Sequence, residues 1–235
     1  MNPYNPYTQH ASAVPVPADS SAFLRKVYAY MAGGLFATGV TATVVASSES
    51  LVNMILGNRI VFYGLLIAEF AMVLAFSKVV ERLSTGAAAA FFFAYAVLNG
   101  VTLSIIFMVY TASSIASTFF VTAGTFGAIS AYGYATKRDL SGVGNFALMG
   151  LIGLIIASVV NIFLNSPMIY WLTTFIGVIV FTALTAYDTQ KLKQFAASSS
   201  SPDQQSKVAL QGALMLYLDF INLFLYLLRV LGRRR

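Results

Sequence analysis

Three acidic residues sit where acids are costly. Glu69, Asp188 and Asp219 interrupt long apolar runs, in "LIAEFAMVLAF", "FTALTAYDTQK" and "LYLDFINLFLYLL". A charged aspartate near the centre of a membrane helix costs about 2.5–3.5 kcal/mol on insertion scales. Such groups are expected to face a bundle interior or a wet cavity, and each is a candidate for sensing or passing ions. The same placement also suits a buried polar contact that locks helix packing, and that reading stays open for all three. At 100° per residue, Gly212, Met215, Asn222, Tyr226 and Arg229 fall within about 80° of Asp219. This stripe of small and polar groups on a greasy helix is expected to face other helices or water rather than lipid.

Asp188 has Thr185 and Thr189 near it on one helical face, and Lys191 three residues on. The segments carrying Asp188 and Asp219 are consecutive and antiparallel, so the two carboxylates can meet. Counted from a linker at 197–204, they differ in depth by six residues, or ~9 Å along a helix. Tilt or an irregular helix start would have to remove that offset. Two carboxylates in contact at low dielectric do not both ionise, and they share one proton. That makes a proton-responsive latch, which repels itself and attracts cations once deprotonated. Two carboxylates are too few for a tight calcium cage of six to eight oxygens. They suffice for a weak Ca2+ site at Asp188 and Asp219, completed by water and carbonyls.

These residues need a scaffold, and the composition says which kind. The chain of 235 residues is 58% hydrophobic and 9% charged, against about 25% charged in a soluble domain. So apolar a chain cannot cover a water-facing surface and reads as an integral membrane protein. The net charge of +6 then reflects basic residues at span ends rather than a nucleic-acid partner. There is no cysteine, which removes thiolate metal sites and cysteine nucleophiles. Seven apolar segments lie near 24–47, 60–80, 86–110, 114–135, 144–164, 168–194 and 206–231. Each is long enough to cross a ~30 Å hydrocarbon layer, and only helices satisfy their own backbone there. The fold class is therefore an all-α integral membrane protein, a seven-transmembrane-helix bundle with a central, polar C-terminal helix.

Residues 1–22 form a polar, proline-rich tail that includes the sole histidine, His10; 23–232 form one membrane domain; 233–235 are a basic tail. The stretch "AASSSSPDQQ" (196–205) reads as the longest late linker. Arg25, Lys26, Lys78, Arg82, Lys137, Arg138, Lys191, Lys193 and Lys207 fall on one side, and the opposite loops hold only Arg59. That pattern places the N-terminus in the cytoplasm. Seven full crossings put Arg229, Arg233, Arg234 and Arg235 on the far side, against the pattern.

Several stretches resemble one family. "LYLDFINLFLYLLRVLG" (216–232), "AYDTQ" (186–190), "TKRDLS" (136–141) after "AGTFGAISAYGYA" (123–135), and "LNGVTLSIIF" (98–107) are similar, in order, to segments of Bax inhibitor-1 membrane proteins. The likeness runs over about 20–232. It implies a seven-helix fold around the last helix, a di-aspartyl pH sensor at Asp188 and Asp219, and a membrane-embedded glutamate at Glu69. It further implies a pH-sensitive calcium leak, with Ca2+ as the transported ion and no tightly bound cofactor. Family members also latch an aspartate with a basic residue at the end of the second segment. The sequence here reads "FSKVVERL", which offers Lys78 or Arg82 without an ungapped match. Asn222 and Tyr226 complete the polar stripe.

The rival readings are few. Intramembrane aspartyl proteases resemble one another in a Gly-x-Gly-Asp, whereas Leu216, Tyr217 and Leu218 precede Asp219 here. No His-Glu-x-x-His occurs, so no enzymatic activity is expected. The alternative is a non-conducting regulator that binds and restrains other membrane proteins, such as a membrane-bound protease. The expected partners are the lipid bilayer, Ca2+ and protons, and the expected location is a bacterial inner membrane.

Overall fold

A computed structural model describes residues 20–198 and 202–235. The expected N-terminal tail, with His10, lies almost wholly outside the described residues; the first helix starts at Ser20. The elements are α1 (Ser20–Ser47), α2 (Glu49–Leu56), α3 (Arg59–Val79), α4 (Thr85–Leu103), α5 (Ile106–Val109), α6 (Ala112–Ala135), α7 (Ser141–Leu164), α8 (Pro167–Ser198) and α9 (Pro202–Leu231). Seven helical runs are long and apolar enough to cross a membrane: α1, α3 with the 3-10 turn Val80–Arg82, α4 with α5, and α6 to α9 singly. The protein is an all-α integral membrane bundle.

The sequence explains most boundaries. Asn58 caps α3, its Oδ1 accepting from the N–H groups of Ile60 and Val61. Ser84 caps α4 through Ala87 N–H. The α7–α8 turn is tight because Asn165 adopts a left-handed conformation (φ 49°), which a short polar side chain tolerates, and Pro167 opens α8. The third span is not one helix, as its apolar run suggested. Ser104 Oγ donates to Val101 O, and the backbone shifts to three-residue bonds between α4 and α5. A hydroxyl competing for a helix carbonyl accounts for that break. The expected linker 196–205 also shrinks: α8 runs to Ser198 and α9 starts at Pro202.

α9 is the centre of the bundle. Half of its most apolar window is buried, against 11% for α3 and for α7. It packs on α1, α4, α6 and α8. Lipid supplies no hydrophobic drive between helices, so close van der Waals approach must hold them. Small residues permit it. A Cβ on Gly100 would meet the Thr38 carbonyl of α1 at 2.6 Å, and one on Gly133 of α6 would overlap the Ala186 carbonyl of α8. The outer face is apolar, with Ile60, Phe120, Phe146 and Phe163 exposed to lipid.

The last residues are tied down. Thr111 N–H donates to Arg233 O (3.1 Å), Arg235 N–H to Val109 O (3.0 Å), and Arg233 N–H to Ser114 Oγ (2.8 Å). The C-terminus therefore lies at the end of the bundle holding the α5–α6 link, opposite the α8–α9 turn. Seven crossings result.

Candidate functional site

The local folding of α8 and α9 brings the two aspartates together. The helices pack antiparallel: Leu192 lies against Gly212, and Phe181 stacks on Tyr226 with ring centroids 5.8 Å apart. Between these contacts the carboxyls of Asp188 and Asp219 come close enough to interact directly. The depth offset expected from counting along the linker is absent, because the Leu192–Gly212 and Phe181–Tyr226 contacts set a register that brings 188 level with 219. Both side chains are buried, Asp188 at 9% exposure and Asp219 at 5%. The Asp219 Oδ2 atom has no hydrogen-bond partner.

No cation neutralises the pair directly. Among the described residues the one ion pair is Lys207–Asp203, at 3.0 Å. Lys191, a turn from Asp188, holds its ammonium over the rings of Tyr187 and Phe195, 5.7 Å from each. Lys78 and Arg82 are exposed at the end of α3 and in the turn after it, and neither is ion-paired with an aspartate.

Asp188, Asp219, Glu69 and Asn222 line one cavity of about 500 Å3. Its remaining wall is mostly apolar, including Leu66 and Phe70 of α3 and Leu148 and Ile155 of α7. Asn222 Nδ2 donates back to Leu218 O at 2.8 Å. Tyr226 does not line this cavity. Its ring fills the space beside Gly177, against Phe181. No three acidic or histidine side chains converge to hold a metal ion among the described residues. The arrangement can share a proton and attract a cation weakly.

Glu69 belongs to a second network that the sequence reading missed. Its carboxylate accepts from Thr102 Oγ1 (2.5 Å) and Asn99 Nδ2 (3.3 Å). The Tyr217 hydroxyl donates to Asn99 Oδ1 (3.0 Å) and lies 2.6 Å from Thr38 Oγ1, which bonds the Ala96 carbonyl. Four spans are joined this way, α1, α3, α4 and α9. An asparagine inside "LNGVTLS" was the available signal, since a polar amide in a span needs partners from other helices. Tyr217 is two residues from Asp219, about 200° around the helix, so it serves a different face.

Gln190 was also missed. It is buried, its Oε1 accepts Leu140 N–H (2.9 Å), and its Nε2 donates to Arg138 O (2.8 Å). Two residues beyond Asp188, it pins the loop between α6 and α7. In that loop Asp139 accepts from the Ser141 side chain and from its backbone N–H (2.9 Å), and these bonds hold its carboxyl below the usual range.

The family described as "Inhibitor of apoptosis-promoting Bax1" matches residues 20–235. The chain belongs to the Bax inhibitor-1 family. That match spans every described helix and both aspartates of the pair. This Bax inhibitor-1 protein is 50% identical over 226 residues to inner membrane protein YbhL of Escherichia coli, covering 95% of this chain and 97% of that one. It is 44% identical over 214 residues to a protein of Borreliella burgdorferi (91% and 92% covered), and 36% identical over 214 residues to a membrane protein of Streptococcus pyogenes (90% and 92%).

Proposed function

We propose that this Bax inhibitor-1 protein is a pH-sensitive calcium leak in a bacterial cytoplasmic membrane, gated by the Asp188–Asp219 pair. One observation carries the reading: two buried, neighbouring carboxyls with no direct counter-cation border a cavity that also holds Glu69. With a shared proton, the pair joins α8 to α9 and the path is closed. When that proton leaves, the carboxylates repel, the helices part, and a hydrated cation is the available counterion. Asp188 and Asp219 are the sensor and the weak Ca2+ contact; Glu69 and Asn222 line the path. Lys78 or Arg82 serves as a closed-state partner only after moving toward the pair. Ca2+ is the cargo, and the reading contains no catalytic step and no bound cofactor. The basic loops put the N-terminus in the cytoplasm, and the name of the Escherichia coli relative supports an inner-membrane location.

Liposomes containing the purified protein and a calcium-sensitive dye test this between about pH 6 and pH 8. Wild-type flux rises with pH, and Asp219→Asn flux does not respond to pH. Absent flux, or flux indifferent to both pH and the substitution, overturns the leak and leaves the non-conducting regulator.

A further inference from the structure

The arginines after the last span are not explained by the aspartate pair. A pocket of about 570 Å3 at the C-terminal end of the bundle is lined by Arg229 and Arg234, with Tyr170, Trp171 and Ser166 at the start of α8. Arg234 is not on a free tail. A bridge to Tyr110 and the backbone bonds of its neighbours fix its position, and its Nη2 donates to the Tyr170 hydroxyl at 3.3 Å. Arg229 is held against the faces of Tyr170 and Tyr226, 5.5 and 5.1 Å from their centroids. That stacking orients the guanidinium and uses none of its N–H donors. Neither arginine has an ion-pair partner among the described residues, and no acidic residue lines the pocket.

The depth of the pocket narrows the choice of ligand. Tyr170 and Trp171 open a span, where amphipathic rings sit at headgroup level. Phe163 and Met168 beside them are 80% and 78% exposed, on the lipid side. Two guanidiniums and the hydroxyl-bearing Ser166 and Tyr170 line the pocket without an acidic residue among them. Arginine forks match phosphate oxygens in pairs. We propose that Arg229 and Arg234 bind a phosphate-bearing anion at the membrane interface, supplied either by an anionic phospholipid headgroup or as free phosphate. Basic residues on the far side, which the charge pattern of the loops disfavours, then have a bound counterion.

Trp171 is the only tryptophan, so its fluorescence reports on this pocket alone. The full-length protein goes into nanodiscs with brominated phosphatidylglycerol or, separately, brominated phosphatidylcholine at equal mole fraction. Quenching by the anionic lipid is expected to be about twofold stronger or more. Arg234→Gln, which keeps the backbone bonds that hold the terminus, at least halves that preference, and Arg229→Gln with Arg234→Gln abolishes it. Arg235→Gln removes the same charge outside the pocket and leaves the preference intact. In detergent, a saturable Trp171 response to inorganic phosphate, lost in Arg234→Gln, assigns the site to free phosphate instead. The proposal fails if wild type shows neither lipid preference nor phosphate response, or if Arg234→Gln and Arg235→Gln behave alike.

Discussion

Gly144 of α7 lies against the ring of Tyr187 on α8: a Cβ built there would stand 2.5 Å from the ring's Cδ2 and 2.6 Å from its Cδ1. Tyr187 immediately precedes Asp188, so this contact sets how closely α7 approaches the helix that carries Asp188. Gly144→Ala forces the ring or the helix to move. We expect a loss of about 1–3 kcal/mol, the usual cost of overpacking, read as a lower melting temperature in detergent. Gly153→Ala, with nothing within 4 Å, serves as the control. It is expected to be neutral or slightly stabilising, since alanine is the better helix former.

Gln190 closes the α6–α7 loop with two backbone bonds. Gln190→Leu keeps a similar volume and leaves the Leu140 N–H and Arg138 C=O unpaired. The buried Leu140 N–H carries the cost, about 1–3 kcal/mol, since the Arg138 carbonyl lies on an exposed residue. Hydrogen exchange should accelerate at the Leu140 amide and stay unchanged in α9. Protection at Leu140 equal to wild type would falsify the assigned role.

Tyr217→Phe removes the donor to Asn99 Oδ1 and the contact with Thr38 while keeping the ring packing against Phe92 and Tyr95. A destabilisation of about 1–3 kcal/mol is expected from the unpaired amide oxygen. Asn99→Ala made in the Tyr217→Phe background should cost less than in wild type, because the two groups are bonded. Additive costs in that cycle would show that the hydrogen bond contributes nothing.

The aspartate pair gives a prediction about coupling. On the proposed mechanism Asp188→Asn and Asp219→Asn each remove most of the pH dependence of calcium flux, and the double variant adds little to either. Groups that share one proton act as a unit, so their effects do not sum. Additive changes in the flux-against-pH slope would mean two independent titrating sites.

The sequence determined the medium and the number of spans. With 9% charged residues and seven apolar runs each long enough to cross as a helix, a helical membrane bundle satisfies the backbone. It also singled out Glu69, Asp188 and Asp219, because an acid in a span is costly whatever its neighbours. It placed Asn222 on the face of Asp219, since helical phase is a local property.

The tertiary structure decided which of these residues meet. The axial offset between α8 and α9 depends on where the Leu192–Gly212 contact falls, and no count from a linker supplies it. Asn99, Thr102, Thr38 and Tyr217 looked like ordinary polar residues in three separate segments, and they matter because packing links them to Glu69 of a fourth. Tyr226 shares a helical face with Asp219, yet Gly177 leaves room for its ring one level away from the cavity. The four terminal arginines looked misplaced by charge counting, which says nothing about a tail fixed by hydrogen bonds to Val109, Thr111 and Ser114. Periodicity and charge are properties of one segment. Proximity between segments is set by close packing across helices, and that is settled only when all of them are in place.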